Sequence, residues 1–526
     1  MTKICLCLTA KTIAADLEIL ARNRGYADIA ELRVDCLDPD ERFLIRHFPE
    51  QAGLPVILTV RREKDGGSFT GGEASRIRLL AQGLAFARAD PRKNFAYVDL
   101  EEDLNVPSLE EAARTFGIRI IRSSHNFNGV EGDIPGKLRS LRRTGDEIAK
   151  IAVLARNSAD TLALVRAARE TRNVDKILLC MGHYGVFTRI LAEKLGSQIS
   201  YTSAEGEGPA APGQLCSRDM VELYRFHSIN QETQVFGVLG HPLHVTKSPK
   251  FFNAVFALEA ANAVYLPFPA DSLKDFMALA DELDLRGISV TVPYKEAILD
   301  YLGAISEDVK RAGACNTISR GPLGWQGTNT DMRGFSDSLL AFISNLRAGK
   351  QGGKEPESRK MGFFPARKPA DISNLKGKKV TVIGAGGAAR AVAAELYRLG
   401  ARALILNRTS AKARNLAVPY KFSWGGLDER GVNQMGRFSD IIIQTTPAGM
   451  EGNPCQDPLE LYSFTGKEIV MDLIYQPDRT PFLRRAEAAS CPVLNGYDML
   501  IRQARYQYTQ FFNRDFPVPF LARINI

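Results

Sequence analysis

KICLCLTAKTIAADLEILARNRG, residues 3–25, decides the fold of the first half of the chain. It is a short apolar run followed by a stretch of helix-compatible length. The same alternation returns with IAELRV (29–34), PVILTV (55–60), FAYVDL (95–100), IRIIRS (118–123), EIAKIAVL (147–154), KILLCM (176–181) and QISYT (198–202). Strand alternating with helix implies parallel strands joined by crossovers. Eight such units in roughly 220 residues fit a (β/α)8 barrel, which typically needs about 250. An open doubly wound sheet is the competing fold. It requires a Gly-rich turn after the first strand, and none is there.

The composition is ordinary for a globular protein. The 526 residues are 45% apolar and 24% charged, which excludes a disordered chain, a collagen and a coiled-coil rod. That length predicts about three units, or two if one is a large barrel. No apolar run approaches about 18 residues, so no membrane-spanning helix is expected. A net charge of +8 is mild for this length and suits anionic small molecules as well as nucleic acid. The chain lacks a basic helix-turn-helix segment, so no nucleic-acid partner is expected. Eight irregularly spaced cysteines without a C-x-x-C pair predict free thiols in a reducing compartment. Six histidines without ligand spacing give no metal site. The strand pattern begins at Lys3 without a leader, which predicts a cytoplasmic protein, or one of the plastid stroma if a transit peptide has been removed.

A barrel carries its chemistry at the C-terminal ends of its strands. Those positions hold Glu31 and Arg33, Arg61, Asp99 and Glu101, His125, Arg189 after the seventh strand and Gln214 after the eighth. So many polar residues converging on one rim are poorly explained as solvated surface. Lys150 stands inside the sixth apolar run, where a charged amine is expensive to bury. It is either a lysine snorkelling from a strand end or an amine with a lowered pKa that forms a Schiff base with a carbonyl substrate. His125, on the neighbouring strand end, then suits a general base.

ELRVD (31–35), TVRREKDGG (59–67), SSHNF (123–127), EIAKIAVL, GVFTR (185–189) and APGQ (211–214), in this order, resemble type I 3-dehydroquinate dehydratase. The resemblance implies a Schiff base at Lys150 and proton abstraction by His125. It also implies that Glu31, Arg33, Arg61, Arg189 and Gln214 bind the polyol and its carboxylate, for which the arginine fork is suited. Two positions depart from the family. Asp65 stands where a glutamate assists the histidine, and Ala210 stands where a serine hydroxyl is usual.

The second half opens with TQVFGVLGHPLHVTKSPKFFNAVFALEA (233–260). After a Gly-, Lys-, Arg-, Ser- and Pro-rich stretch at 344–375, read as a mobile basic insertion, comes KKVTVIGAGGAARAVAAELYRLG (378–400). Gly384, Gly386 and Ala389 form G-x-G-x-x-A between a strand and a helix. A second strand, ARALILNRT, ends about 20 residues on. Such a turn lets the backbone approach a pyrophosphate at the helix N-terminus. Gly384, Ala385, Gly386, Gly387, Ala388 and Ala389 are therefore expected at the cofactor, with Thr446. Asn407, Arg408 and Thr409 replace the acid that an NAD site wants, so NADP(H) is the expected cofactor.

GHPLHVTKSP, TVPYKE, GACNTI, NTD, GAGGAAR, NRT, TTPAGM and IRQA resemble shikimate dehydrogenase across about residues 232–526. The resemblance implies Lys295 and Asp331 as the catalytic pair. Thr246, Ser248, Thr291, Asn316 and Gln503 would hold hydroxyls and carboxylate, with Tyr475 a further substrate residue. Thr246 departs from the usual serine; its added methyl narrows the pocket, and the retained Thr291 and Ser248 favour shikimate over the bulkier quinate. The whole order resembles the fused dehydratase–dehydrogenases of plants and some bacteria. The implied layout is a barrel at 1–228, a substrate-binding domain at 232–340 completed by 498–526, and an NADP-binding Rossmann domain at 341–497. The implied substrates are 3-dehydroquinate, 3-dehydroshikimate and shikimate. Competing readings are a catabolic quinate dehydrogenase and a metabolite-sensing repressor; the intact Lys150, His125, Lys295 and Asp331 argue against the sensor.

Overall fold

The computed structural model describes residues 1–84, 90, 93–130, 132–243, 246–348, 375–453 and 457–524. The chain divides into two compact units, Met1–Leu285 and Arg286–Ile526.

In the first unit, β1 (Lys3–Leu8), β2 (Ile29–Arg33), β3 (Val56–Thr59), β4 (Tyr97–Glu101), β5 (Arg119–Asn126), β6 (Ile148–Leu154), β7 (Lys176–Met181) and β8 (Ile199–Thr202) fall on the eight expected runs. They form one parallel sheet in the order β7-β6-β5-β4-β3-β2-β1-β8. A bridge between Lys176 and Ser197 draws the approach to β8 alongside β7, so the barrel is nearly closed. Not every crossover is a long helix. After β2 the chain makes the short turns Glu41–Phe43 and Ile45–His47 and the five-residue helix Phe48–Ala52. Pro49, in the first turn of that helix, has no N–H with which to continue a helix from the preceding turn.

Period-two alternation sorts the barrel side chains. Leu6, Leu8, Leu32, Val56, Leu58, Val98 and Ile120 point outward and pack with Ile19, Leu20, Leu80, Leu84 and Leu109 of the surrounding helices. Cys5, Ile29, Ile57, Tyr97, Ile121, Ile148, Ile177 and Ile199 fill the interior. Moving two residues at a time toward the strand ends, the same face becomes polar: Glu31 and Arg33, Thr59 and Arg61, Asp99 and Glu101, Ser123 and His125, and Lys150. An apolar floor thus carries a polar layer. The unit continues with the parallel pair β9 (Gln234–Gly240) and β10 (Ala263–Pro269). Asp271 beyond β10 accepts from the barrel's Ser158 N and Oγ at 2.9 and 2.7 Å.

In the second unit, β11 (Leu285–Val290), β13 (Thr317–Gly321) and β14 (Gly324–Thr328) pair antiparallel, and β12 (Ala304–Ile305) pairs parallel with β14. A parallel sheet follows: β15 (Lys379–Ile383), β16 (Arg402–Asn407), β17 (Ser423–Gly426), β18 (Ile441–Gln444), β19 (Ile469–Asp472) and β20 (Val493–Leu494), in the order β17-β16-β15-β18-β19-β20. The order reverses between β15 and β18, the switch point at which dinucleotides bind. The helix Tyr497–Phe512 returns to the antiparallel strands, where Gln507 accepts from Ser289 at 2.8 Å and donates to Thr317 Oγ1 at 3.0 Å. The expected loop at 344–375 begins later than read. Residues 344–347 close the helix Thr330–Arg347, whose buried Leu340 and Ile343 continue its apolar face. The remainder, 349–374, lies outside the described residues.

Candidate active sites

The barrel mouth holds a cavity of about 650 Å³, open side included. Lys150, His125, Asp65, Glu31, Arg33, Arg61, Arg189 and Gln214 all line it, so the structure brings the sequence-expected set together. Lys150 Nζ donates to Asp99 Oδ2 at 2.9 Å and lies over the Tyr201 ring, 4.1 Å from its centroid. Asp99 also pairs with Arg61 at 2.7 Å and accepts from Ser123 Oγ at 2.5 Å. Burial pushes the Asp99 carboxyl up, but the charges of Arg61 and Lys150 outweigh it and hold the group well below the usual carboxylate range. Asp99 is therefore a fixed acceptor that anchors the lysine.

His125 is half-buried, and its solvent-shielded Nδ1 has no hydrogen-bond partner among the described residues. Burial first, then the charges of Arg61 and Lys150, push its imidazole well below the ordinary value. It is neutral near pH 7, as a proton acceptor must be. Asp65 lines the same cavity, but its carboxylate takes a 2.6 Å hydrogen bond from Arg62 Nε three residues back. Arg33 forks onto Asp35 at 2.9 and 2.7 Å. Asp35 also accepts from Arg61 N and Ser68 N, tying the loop after β3 to the rim. Glu31 accepts from Thr59 at 2.9 Å, and Gln214 spans from Ala210 N to Cys7 Sγ.

Arg189 stands apart from the other arginines. It is buried, its contacts are two carbonyl oxygens at 3.4 Å, and its Nε has no partner. Burial pushes it down to about 10. A buried guanidinium so poorly paired is a place for an anion. Asp99 and Glu101 were visible as polar strand ends without a role, whereas Asp35, Ser123 and Tyr201 escaped the sequence reading. The signal that finds Ser123 and Tyr201 is the alternation, since each lies two residues from an interior apolar side chain.

In the second unit Lys295 Nζ and Asp331 Oδ2 are 2.5 Å apart. Asp331 lies in the first turn of the helix Thr330–Arg347, capped by Asn329. Asn316 Nδ2 donates to Asp331 Oδ1 at 2.8 Å and to Thr330 Oγ1 at 2.9 Å, and stands 3.5 Å from Gln503 Oε1. Four expected residues thus share one network. Ser289, Thr317, Thr330 and Gln507 surround it and were not anticipated. Thr291 follows β11, half-buried, and Tyr475 stands half-buried after β19. Thr246 and Ser248 belong to the first unit, where Thr246 Oγ1 donates to Ser248 Oγ at 3.2 Å.

The Gly-rich turn follows β15. Gly384 has φ +115°, and an added Cβ would meet Thr445 Oγ1 at 2.4 Å, so no side chain fits there. Gly386 caps the helix Gly387–Arg398 without a side-chain hydrogen bond, and the space where its Cβ would point is open. Free N–H groups of Gly387, Ala388 and Ala389 at an open helix N-terminus fit a pyrophosphate. A Cβ on Gly387 would lie 2.9 Å from Lys295 Cβ, so the lysine stem packs on the start of that helix. Asn407 ends β16 and donates to Thr409 O at 3.0 Å; Arg408 and Thr409 are exposed beside it. Thr446 Oγ1 accepts from Ala448 N at 3.3 Å, holding the loop after β18. Among the described residues no group of three His, Cys, Asp or Glu side chains is placed to hold a metal ion, and no helix is long and apolar enough to cross a membrane.

Residues 4–231 match the family model of type I 3-dehydroquinase. Residues 238–318 match the shikimate dehydrogenase substrate binding domain, and 366–450 match shikimate / quinate 5-dehydrogenase. The chloroplastic bifunctional 3-dehydroquinate dehydratase/shikimate dehydrogenase of Arabidopsis thaliana is 29% identical over 521 residues, 96% of this chain and 81% of that protein. The shikimate biosynthesis protein AroDE of Chlamydia pneumoniae is 25% identical over 519 residues, 98% of this chain and 96% of that one. The shikimate dehydrogenase (NADP(+)) of Moorella thermoacetica is 34% identical over 311 residues, 56% of this chain and 94% of that one.

Proposed function

We infer that this chain, which belongs to the shikimate dehydrogenase family and carries a type I 3-dehydroquinase unit ahead of it, performs two consecutive steps of the shikimate pathway. The barrel dehydrates 3-dehydroquinate to 3-dehydroshikimate. The second site reduces that ketone to shikimate with NADPH. The observation that carries the reading is Lys150: an amine anchored by Asp99 inside a barrel cavity, beside a neutral His125 and an Arg189 without a carboxylate partner.

The Lys150 amine condenses with the substrate ketone, water leaves, and the iminium draws electrons from the adjacent carbon. His125 takes the proton from that carbon, and the hydroxyl one carbon further departs. Arg189 holds the carboxylate, and Glu31, Arg33 and Gln214 hold the hydroxyls. Asp65 acts on the loop through Arg62. In the second site the Gly-rich turn at 384–389 would hold a nicotinamide cofactor, which would supply the hydride. Lys295 gives the ketone oxygen its proton, Asp331 and Asn316 keep the lysine in place, and Thr291, Tyr475 and Gln503 bind substrate. The partners are small molecules. Buried free thiols such as Cys5, Cys180 and Cys315 suit a reducing compartment, the cytoplasm or plastid stroma.

The test supplies 3-dehydroquinate and NADPH to the intact chain and follows enone absorbance and NADPH together. Enone should appear and then fall as NADPH is consumed. Enone that accumulates without NADPH loss, or no enone at all, would refute the paired assignment.

The cofactor preference has its own measurement. Arg408 offers charge-assisted hydrogen bonds to a 2′-phosphate, Thr409 adds a neutral one, and Asn407 does not repel it. Because Arg408 is exposed, screening discounts the gain to about 10–100-fold in favour of NADP. Arg408→Ala should raise KM for NADP by that factor and leave KM for NAD nearly unchanged. Equal weakening of both cofactors would remove Arg408 from the site.

A further inference from the structure

We propose that the Tyr201 hydroxyl donates a hydrogen bond to the substrate's ketone oxygen while Lys150 attacks the ketone carbon. The proposal rests on the Schiff-base reading of the barrel. Tyr201 is an interior residue of β8, two positions beyond Ile199, and only 5% exposed. It lines the cavity, and Lys150 Nζ lies over its ring at 4.1 Å. Its hydroxyl is buried and has no hydrogen-bond partner among the described residues. Folds leave a buried hydroxyl unpaired only where something else will pair with it, since phenylalanine fills the same space without the penalty.

The position of that hydroxyl decides what it meets. The carbon that bonds to Nζ must come within one bond length of the amine, directly above the tyrosine ring. The oxygen on that carbon therefore arrives beside the same ring, which carries the unpartnered hydroxyl. Other donors around Nζ are already committed. Arg61 pairs with Asp99 and Glu101 and also donates to Ser123, and Ser123 gives its proton to Asp99. His125 is the base of the following step. Tyr201 therefore supplies the donor that the oxygen needs as the carbonyl π pair moves onto it.

The step balances without a proton from the phenol. The Lys150 ammonium brings three protons. One passes to the carbonyl oxygen as the freed nitrogen lone pair forms the C–N bond and the carbonyl π pair shifts to oxygen; a second follows it, so that the oxygen leaves as water, and the third stays on the iminium nitrogen. Burial, with the charges of Glu31 and Asp99, pushes the phenol well above its ordinary value, so it keeps its proton and remains a donor.

Tyr201→Phe in the intact chain tests this. The readouts are single-turnover trapping of the Lys150 adduct by borohydride, steady-state dehydratase kinetics, melting temperature and dehydrogenase rate. The trapping rate and kcat should fall about 10–100-fold, the scale of one donor to a developing oxyanion. KM should change less than about threefold, because the donor acts as charge develops rather than in ground-state binding. Melting temperature should be equal or higher and dehydrogenase rate unchanged. Wild-type trapping rates in the variant would overturn the proposal and leave the Schiff base standing. A fall in kcat with unchanged trapping would also overturn it, since the hydroxyl would then serve a later step. Absence of any Lys150 adduct in the wild-type chain would overturn the Schiff base and this proposal with it.

Discussion

Lys150→Met is expected to lower dehydratase turnover by on the order of 10⁴–10⁶-fold, as removal of a covalent nucleophile does, and to leave dehydrogenase turnover in place. The size of the effect follows from the chemistry. Without the imine, the carbon beside the ketone must lose its proton with only a neutral carbonyl to accept the charge, and among the described residues no other lysine lines the cavity. The fold should tolerate the change. Asp99 keeps Arg61 at 2.7 Å and Ser123 at 2.5 Å, so no carboxylate is stranded. The methionine stem occupies the space the lysine stem fills over Tyr201. Borohydride added with 3-dehydroquinate or 3-dehydroshikimate should inactivate the wild-type dehydratase, and mass spectrometry should place the adduct on Lys150. The variant should give none. An adduct on another lysine, or an active wild-type dehydratase that traps nothing, would end the Schiff-base assignment.

The barrel was legible because its strands are buried on both faces and read as near-continuous apolar runs, with polar residues intruding only at their C-terminal ends. Lys150 stood out for that reason. What it touches was not legible. Asp99 lies 51 residues before it and meets it only through register, β4 pairing Asp99 with Ile121 and β5 pairing Ser123 with Lys150. One residue of slip would turn each of these side chains outward. Asp65 shows the opposite effect. A local partner three residues back, Arg62, takes its carboxylate, and motif alignment carries no information about that competition. In the second unit the motifs revealed Lys295, Asp331 and Asn316. The helix that completes their surroundings comes from the far end of the chain, so Gln507 and its partners Ser289 and Thr317 were silent. The Gly387 constraint was half legible: the Gly-rich turn reads as a phosphate cradle, but its contact with the Lys295 stem appears only in three dimensions.

That contact shapes the expected result at Lys295. Lys295→Met should lower dehydrogenase kcat by roughly 10²–10⁴, the usual range for losing an acid–base group. Hydride arrival leaves a negative oxygen, and the ammonium 2.5 Å from Asp331 is the group placed to protonate it. Methionine keeps the stem whose Cβ and Cδ face Gly387, so the start of the helix Gly387–Arg398 should not move. Asp331 keeps its 2.8 Å bond from Asn316. NADPH affinity, read by quenching of its fluorescence, should therefore stay within about twofold of wild type, because the lost interaction is with the transition state rather than the cofactor. Dehydratase rate should not change, since Lys150 and its cavity belong to the first unit. The kcat/KM for shikimate oxidation should fall in step with that for reduction, because one group serves both directions of the proton transfer. Loss of both enzyme activities together would mean misfolding rather than chemistry. A variant that weakens NADPH binding with kcat intact would make Lys295 a support of the cofactor helix and not the proton donor.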